Sequence, residues 1–161
     1  MTFLYLAAKM GNLKMVELIS NNLIDKNPPL DITGRTPLHV ASQRCHVDII
    51  KFIFKCLPKD KRNPADKTGI TPLHLAAAFG HLDSLKIFLV ETVDKNPPTF
   101  IDKKTPLHFA AERGQLHIIE YLTDILPKHQ LNDKSASSET PLDYALKNNH
   151  EGVANFLKIF V

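Results

Sequence analysis

The sequence predicts an all-α fold, a solenoid of helix–turn–helix units linked by short β-turn loops. Three observations predict it. The phrase "TPLHLAAAFGH" from Thr71 recurs as "TPLHVASQRCH" from Thr36 and "TPLHFAAERGQ" from Thr105, and in altered form as "TPLDYALKNNH" from Thr140. The marker threonines stand 35, 34 and 35 residues apart, and one further step back reaches Thr2 of "TFLYLAAKMGN". A fatter apolar pattern with helical spacing follows each phrase. Periods of roughly 20–50 residues mark stacked units that cannot each bury their own apolar face. Five copies fill the chain, so a single domain is expected over residues 1–161, with repeats near 1–30, 31–65, 66–99, 100–134 and 135–161.

Each element has a mechanical reason. Thr71 is a good N-cap, because its hydroxyl can meet an orphan backbone N–H. Pro72 follows at the first helical position, where a missing N–H does no harm. His74, three residues after the cap, can reach back to it like the polar member of a capping box. Ala76, Ala77 and Ala78 favour helix and keep one face thin. Gly80 suits the left-handed residue that ends a helix. The second helix is carried by Leu82, Leu85, Ile87, Phe88 and Leu89, matched by Val47, Ile50, Phe52, Ile53 and Phe54 in copy two. In copy four the same positions are Leu116, Ile119, Tyr121, Leu122 and Thr123. Between copies run "DKNPPLDITG" from Asp25, "DKRNPADKTG" from Asp60 and "DKNPPTFIDK" from Asp94. Proline forbids helix there, and Asp, Asn and Gly favour tight turns.

Composition bounds the function. The chain has 161 residues, 43% of them hydrophobic, enough for one ordinary core. Net charge is +3, from 20 basic and 17 acidic residues with no long run of one sign, so no specific nucleic acid is expected as partner. The densest apolar run, Val47 to Leu57, is broken by Asp48, Lys51 and Lys55, and no membrane insertion is expected. Cys45 and Cys56 cannot make a disulfide framework. They are read as reduced thiols of an intracellular protein, in the cytoplasm or nucleus. The start, "MTFLYLAAKMG", has no basic leader and fits the repeat register.

The repeated phrase resembles the ankyrin repeat, whose signature is T-P-L-H-x-A in a unit of about 33 residues. TPLH stands at Thr36, Thr71 and Thr105, and TPLD at Thr140, so the resemblance covers essentially the whole chain. It implies a turn and two antiparallel helices per copy, stacked into a curved slab that binds other proteins. There are departures. The helix-ending Gly is Cys45 in copy two and Asn149 in copy five, and the turn glycine of Gly34 and Gly69 becomes Lys103 and Ser138. Copy one lacks its leading turn, so a segment of a longer chain and a native start are both open.

Residues with chemistry are dispersed. His39, His74 and His108 occupy equivalent places in successive copies. Helices pack roughly 8–10 Å apart, too far for one zinc with ligand bonds of about 2.0–2.1 Å, so these rings are read as turn braces. His46, His81 and His150 are read as loop anchors, and His117 and His129 as surface groups. Cys45 has His46 beside it, but adjacency in sequence is not the geometry of nucleophilic catalysis. G-x-S-x-G, a phosphate-cradling glycine loop, HExxH and paired CxxC are absent from the sequence. The expectation is therefore no enzyme and no cofactor. Asp143, where other copies carry His, is read as a cap or a solvated group. The apolar Phe156, Leu157, Ile159, Phe160 and Val161 at the C-terminus are either exposed or folded onto copy four.

Recognition must then use residues that the scaffold does not need. By the resemblance, these are the turn positions before each Thr and the two positions before the helix-ending Gly, which line the concave side. The candidate set is Met10, Ile32, Arg35, Arg44, Ile70, Phe79, Ile101, Lys104, Glu112 and Arg113. Phe79 is an aromatic centre between Arg44 and Arg113, the composition that binding hot spots prefer. The competing reading is that Phe79 and Ile70 merely cover one another. Three functions follow: a non-catalytic module, monomeric in isolation, that binds another protein in the concave groove; a sensor of an anionic small molecule or nucleotide on Lys9, Arg35, Arg44, Lys67, Lys104 and Arg113; or a structural spacer within a larger multidomain protein.

Overall fold

Alanine lets the first helix of each copy lie close to the next, and the whole architecture follows from that. The computed structural model describes residues 2–160. Five inner helices, α1 (Phe3–Met10), α3 (Pro37–Gln43), α5 (Pro72–Ala78), α7 (Pro106–Glu112) and α9 (Pro141–Lys147), pack in sequence against one another. Five outer helices, α2 (Leu13–Asn21), α4 (Val47–Cys56), α6 (Leu82–Glu91), α8 (Leu116–Ile125) and α10 (Glu151–Leu157), lie antiparallel behind them. No strand occurs among the described residues. The inner row, with Ala41, Ala76, Ala77, Ala110, Ala111 and Ala145 wholly buried, packs more densely than the outer row. The turns and inner helices thus form one side of the stack and the outer helices the other.

The core lies between the two rows. Leu38, Leu73 and Leu107 of the TPLH phrases are fully buried against Ile49, Ile50 and Ile53 of α4, Leu85 and Phe88 of α6, and Ile118, Ile119 and Leu122 of α8. Each such side chain removed from water is worth about 1.5–3 kcal/mol. Phe54 and Phe88 meet edge to face, with ring centres 5.1 Å apart, across copies two and three. The core is therefore continuous from copy to copy.

Polar side chains tie the loops. Asn27 Oδ1 accepts from Leu38 N at 3.0 Å, and Asn63 Oδ1 from Leu73 N at 3.1 Å, so the asparagines of the first two N-P steps anchor the start of the next inner helix, whereas Asn96 of the third reaches Asp133 through its Nδ2 at 3.4 Å. Neighbouring turn tips join through their backbones: Lys67 N donates to Thr33 O, Phe100 N to Thr68 O and Ala136 N to Asp102 O. The left-handed residues fall where the departures lie. Lys103 (φ 54°) and Ser138 (φ 64°) keep the conformation of Gly34 and Gly69, and Cys45 (φ 59°) and Asn149 (φ 59°) keep that of Gly80 and Gly114.

The C-terminal apolar group divides. Leu157 is buried, and Phe156 and Phe160 pack on the core and on each other, 5.5 Å apart; Ile159 is exposed, and Val161 lies outside the described residues.

Candidate functional site

Two sets of histidine bonds hold the surface on which the candidate residues stand. In copies two to four the box histidine works in both directions. Its Nδ1 accepts the backbone N–H of its own cap threonine at 3.1 Å, in Thr36–His39, Thr71–His74 and Thr105–His108 alike. An Nδ1 that accepts leaves the ring proton on Nε2, which donates to the next copy: His39 to Ile70 O at 3.0 Å, His74 to Lys104 O at 3.1 Å and His108 to Glu139 O at 3.2 Å. All three rings are fully buried and neutral. Burial pushes His39 and His74 down to about 4, and lowers His108 as well, outweighing the hydrogen bonds to the neighbouring carbonyls.

The second set points backward. His46 Nε2 bonds Lys9 O, His81 bonds Gln43 O and His150 bonds Glu112 O, at 3.0–3.1 Å. Copy four has glutamine at this place. There Gln115 reaches Ala78 O at 3.4 Å, and His117 bonds Gly80 O at 2.9 Å. His117, expected to be a plain surface group, is thus exposed yet part of the ladder. The sequence hid it because it sits two positions beyond the usual histidine. Among the described residues, no three His, Cys, Asp or Glu side chains are grouped to hold a metal ion.

The candidate residues form two populations on this scaffold. One is committed. Arg35 Nε lies 3.5 Å from the Asp66 carboxylate, which is buried. Burial raises the Asp66 pKa, but hydrogen bonds from Thr68 and Ile70 more than reverse this and hold it below its ordinary value. Lys104 Nζ pairs with Glu112 at 3.1 Å and lies over the Tyr144 ring at 4.4 Å. Ile70 is half-buried, and its carbonyl is the one taken by His39. The other population is open. Met10, Arg44, Phe79 and Arg113 are exposed along the C-terminal ends of the inner helices, and Ile32 and Ile101 stand exposed at turn tips. Phe79, 41% exposed, has Arg113 over its ring at 5.9 Å and His81 stacked at 6.3 Å. Ile32, 89% exposed, borders an open cleft of about 600 Å³ shared with Tyr5, Pro29 and Leu30.

A family model described as ankyrin repeats, three copies long, matches the chain over residues 1–63, 53–132 and 73–159. The chain belongs to the ankyrin repeat family. Ankyrin repeats are generally protein–protein interaction modules and are typically non-catalytic. Two curated relatives share the repeats. The human transient receptor potential cation channel subfamily A member 1 is 42% identical over 57 residues, which cover 35% of this chain and 5% of the channel. Alpha-latrotoxin-Lg1a of Latrodectus geometricus is 28% identical over 148 residues, which cover 91% of this chain and 8% of the toxin. This ankyrin repeat chain spans less than a tenth of either relative. A channel and a toxin that share the repeats show that their activities do not travel with the scaffold. No helix among the described residues is long and apolar enough to cross a membrane.

Proposed function

We propose that this ankyrin domain is a non-catalytic, intracellular module, monomeric in isolation, that holds another protein in its concave groove. The contact centres on Phe79 and Arg113, flanked by Arg44, Met10, Ile32 and Ile101. One observation carries this reading. Phe79 occupies a position where a solvated residue would suffice, yet presents an aromatic face half open to solvent with a guanidinium over it. Aromatic and arginine anchors dominate binding energy at interfaces, and truncating one costs about 2 kcal/mol or more. Lys104, Glu112 and Arg35 serve the groove differently: their charges are already paired, so they set its shape.

The anionic-ligand reading draws less support. Of its six cations, Arg35 and Lys104 already face carboxylates, which takes the two best-placed charges away from a phosphate. A thermal-shift screen with nucleotides at millimolar concentration should give no stabilisation. The main test is affinity capture from the native cell with the parent domain and with Phe79→Ala/Arg113→Ala. Proteins retained by the parent and lost by the variant, with both folded by circular dichroism, support the groove. Identical sets would remove Phe79 and Arg113 from the site.

A further inference from the structure

The sparse packing of the outer helices leaves a cleft between α4 and α6, on the side of the domain away from the inner helices and turn tips. It has a volume of about 510 Å³ and is lined by Lys51, Phe54, Lys55, Arg62, Lys86, Ile87, Val90 and Glu91. Its charge is lopsided. Glu91 is the only acid in that lining, and Arg62 takes it. Arg62 is itself fixed as a wall: Nε donates to Leu57 O, Nη2 donates to Phe54 O, and the guanidinium lies 5.4 Å from the Phe54 ring centre. Lys51, Lys55 and Lys86 are exposed, Lys86 Nζ standing 5.1 Å from the Tyr121 ring centre, and among the described residues none has a carboxylate within 4.0 Å. Between these lysines Val90 is 79% exposed, although the matching positions carry Asn21, Lys55 and Asp124 in copies one, two and four.

We propose that this cleft docks an acidic segment of a partner protein, with carboxylates meeting Lys51, Lys55 and Lys86 and an aliphatic or aromatic side chain resting on Val90 and Ile87. Charge complementarity identifies the occupant. Three ammonium groups without counter-charges around an apolar floor match carboxylates spaced around a hydrophobic residue. A long polyanion fits worse. The outer-helix row reads Glu17, Lys51, Lys86, Glu120 from copy to copy, so positive charge ends within two copies and is bounded by acids. Nucleic acid needs a basic track with open stacking faces, whereas Phe54 is buried beneath Arg62. A flat anionic membrane would meet Glu17, Glu120 and Asp124 as well as the lysines.

The test uses the full chain and a fluorescein-labelled peptide of Glu-Glu-Leu-Leu repeats, read by anisotropy at low salt. Controls are polyglutamate of equal length, the Lys-Lys-Leu-Leu counterpart and phosphatidylserine vesicles. Saturable binding is expected, weakened about tenfold or more by Lys51→Glu/Lys55→Glu/Lys86→Glu and severalfold by Val90→Asp, and weakened by added salt. These four side chains are exposed, so the variants should fold, and circular dichroism checks that. Amide shifts induced by the peptide should map to α4 and α6. Phe79→Ala/Arg113→Ala should leave peptide binding unchanged, which separates this cleft from the concave groove. Equal binding to the charge-reversed variant, equal affinity for polyglutamate, or binding to vesicles without binding to the peptide would each overturn the proposal.

Discussion

At His39, His74 and His108 the residue three places after the cap bonds in two directions; at Asp143 it bonds in one. Asp143 Oδ2 accepts from Thr140 N at 2.8 Å and from the Thr140 hydroxyl at 2.8 Å, so the cap is complete without an imidazole. What the carboxylate lacks is a donor to hand forward, and no following copy is present among the described residues to receive one. The difference separates two jobs that TPLH combines. The cap needs any acceptor at that position, while the joint to the next copy needs a second, protonated nitrogen on the far side of the same ring. Tyr5 stands at this place in copy one, where the Thr2 hydroxyl accepts from Tyr5 N at 3.2 Å and closes the cap by itself.

The largest test of this contrast is acid. Above about pH 7 the box histidines are neutral whether the chain is folded or not, and stability is flat. Between 6.5 and about 4 the unfolded chain takes up protons that buried His39 and His74 refuse, so stability falls as pH falls. Each ring contributes a loss of about 3 kcal/mol across that window, and His108 adds in the same direction. Urea unfolding at pH 7.5 and pH 4.5 checks it. His74→Gln should remove one ring's share of the fall and leave those of His39 and His108, whereas Asp143→Asn should leave the whole histidine contribution in place.

Next in size is the pair His74→Ala and Asp143→Ala. The first strips a fully buried ring of two bonds and opens a cavity, for an expected loss of about 3 kcal/mol. The second removes only a cap partner, for about 1 kcal/mol. Equal losses, measured by denaturant midpoint, would mean that the forward bond has no weight.

The turn glycines sharpen the comparison at smaller scale. A Cβ on Gly69 would collide with the backbone nitrogen of Phe100, which the tip ladder holds in place. At Gly34 the nearest atoms are an ordinary 3.6 Å away. Both have φ above +80°, so Gly34→Ala should cost about 1 kcal/mol, and Gly69→Ala more, about 2–3 kcal/mol. The smallest expected effect is at Cys45. Cys45→Gly relieves a left-handed cysteine by about 0.5 kcal/mol but takes the sulfur acceptor from the buried Ser84 hydroxyl, so Cys45→Gly/Ser84→Ala should have a higher Tm than Cys45→Gly alone.

The sequence made the scaffold legible because its letters are reused. Cap, proline, alanine run and helix-ending residue announce themselves by period, and even the cysteine and lysine departures kept the predicted backbone. The candidate site was legible only as a set of positions. Nothing in the letters told that Lys104 would be absorbed by Glu112 and Tyr144, or Arg35 by Asp66, because those partners belong to neighbouring helices and turns. Phe79 was legible as an oddity, but its own neighbours, Arg113 and His81, were fixed only by the stacking geometry. The basic cleft escaped notice for a similar reason. Lys51 and Lys86 are 35 residues apart and become neighbours only when α4 and α6 lie side by side.

The two ladders run at different heights and in opposite senses, one forward from the turns of copies two to four and one back from the helix corners, so every joint but the first, where Tyr5 replaces the box histidine, is tied in both. A joint bolted at both ends resists rocking as well as sliding. Pulled lengthwise, such a stack cannot open one seam as a hinge; it must shear both rows of bolts together, and so should yield in discrete steps rather than stretch smoothly.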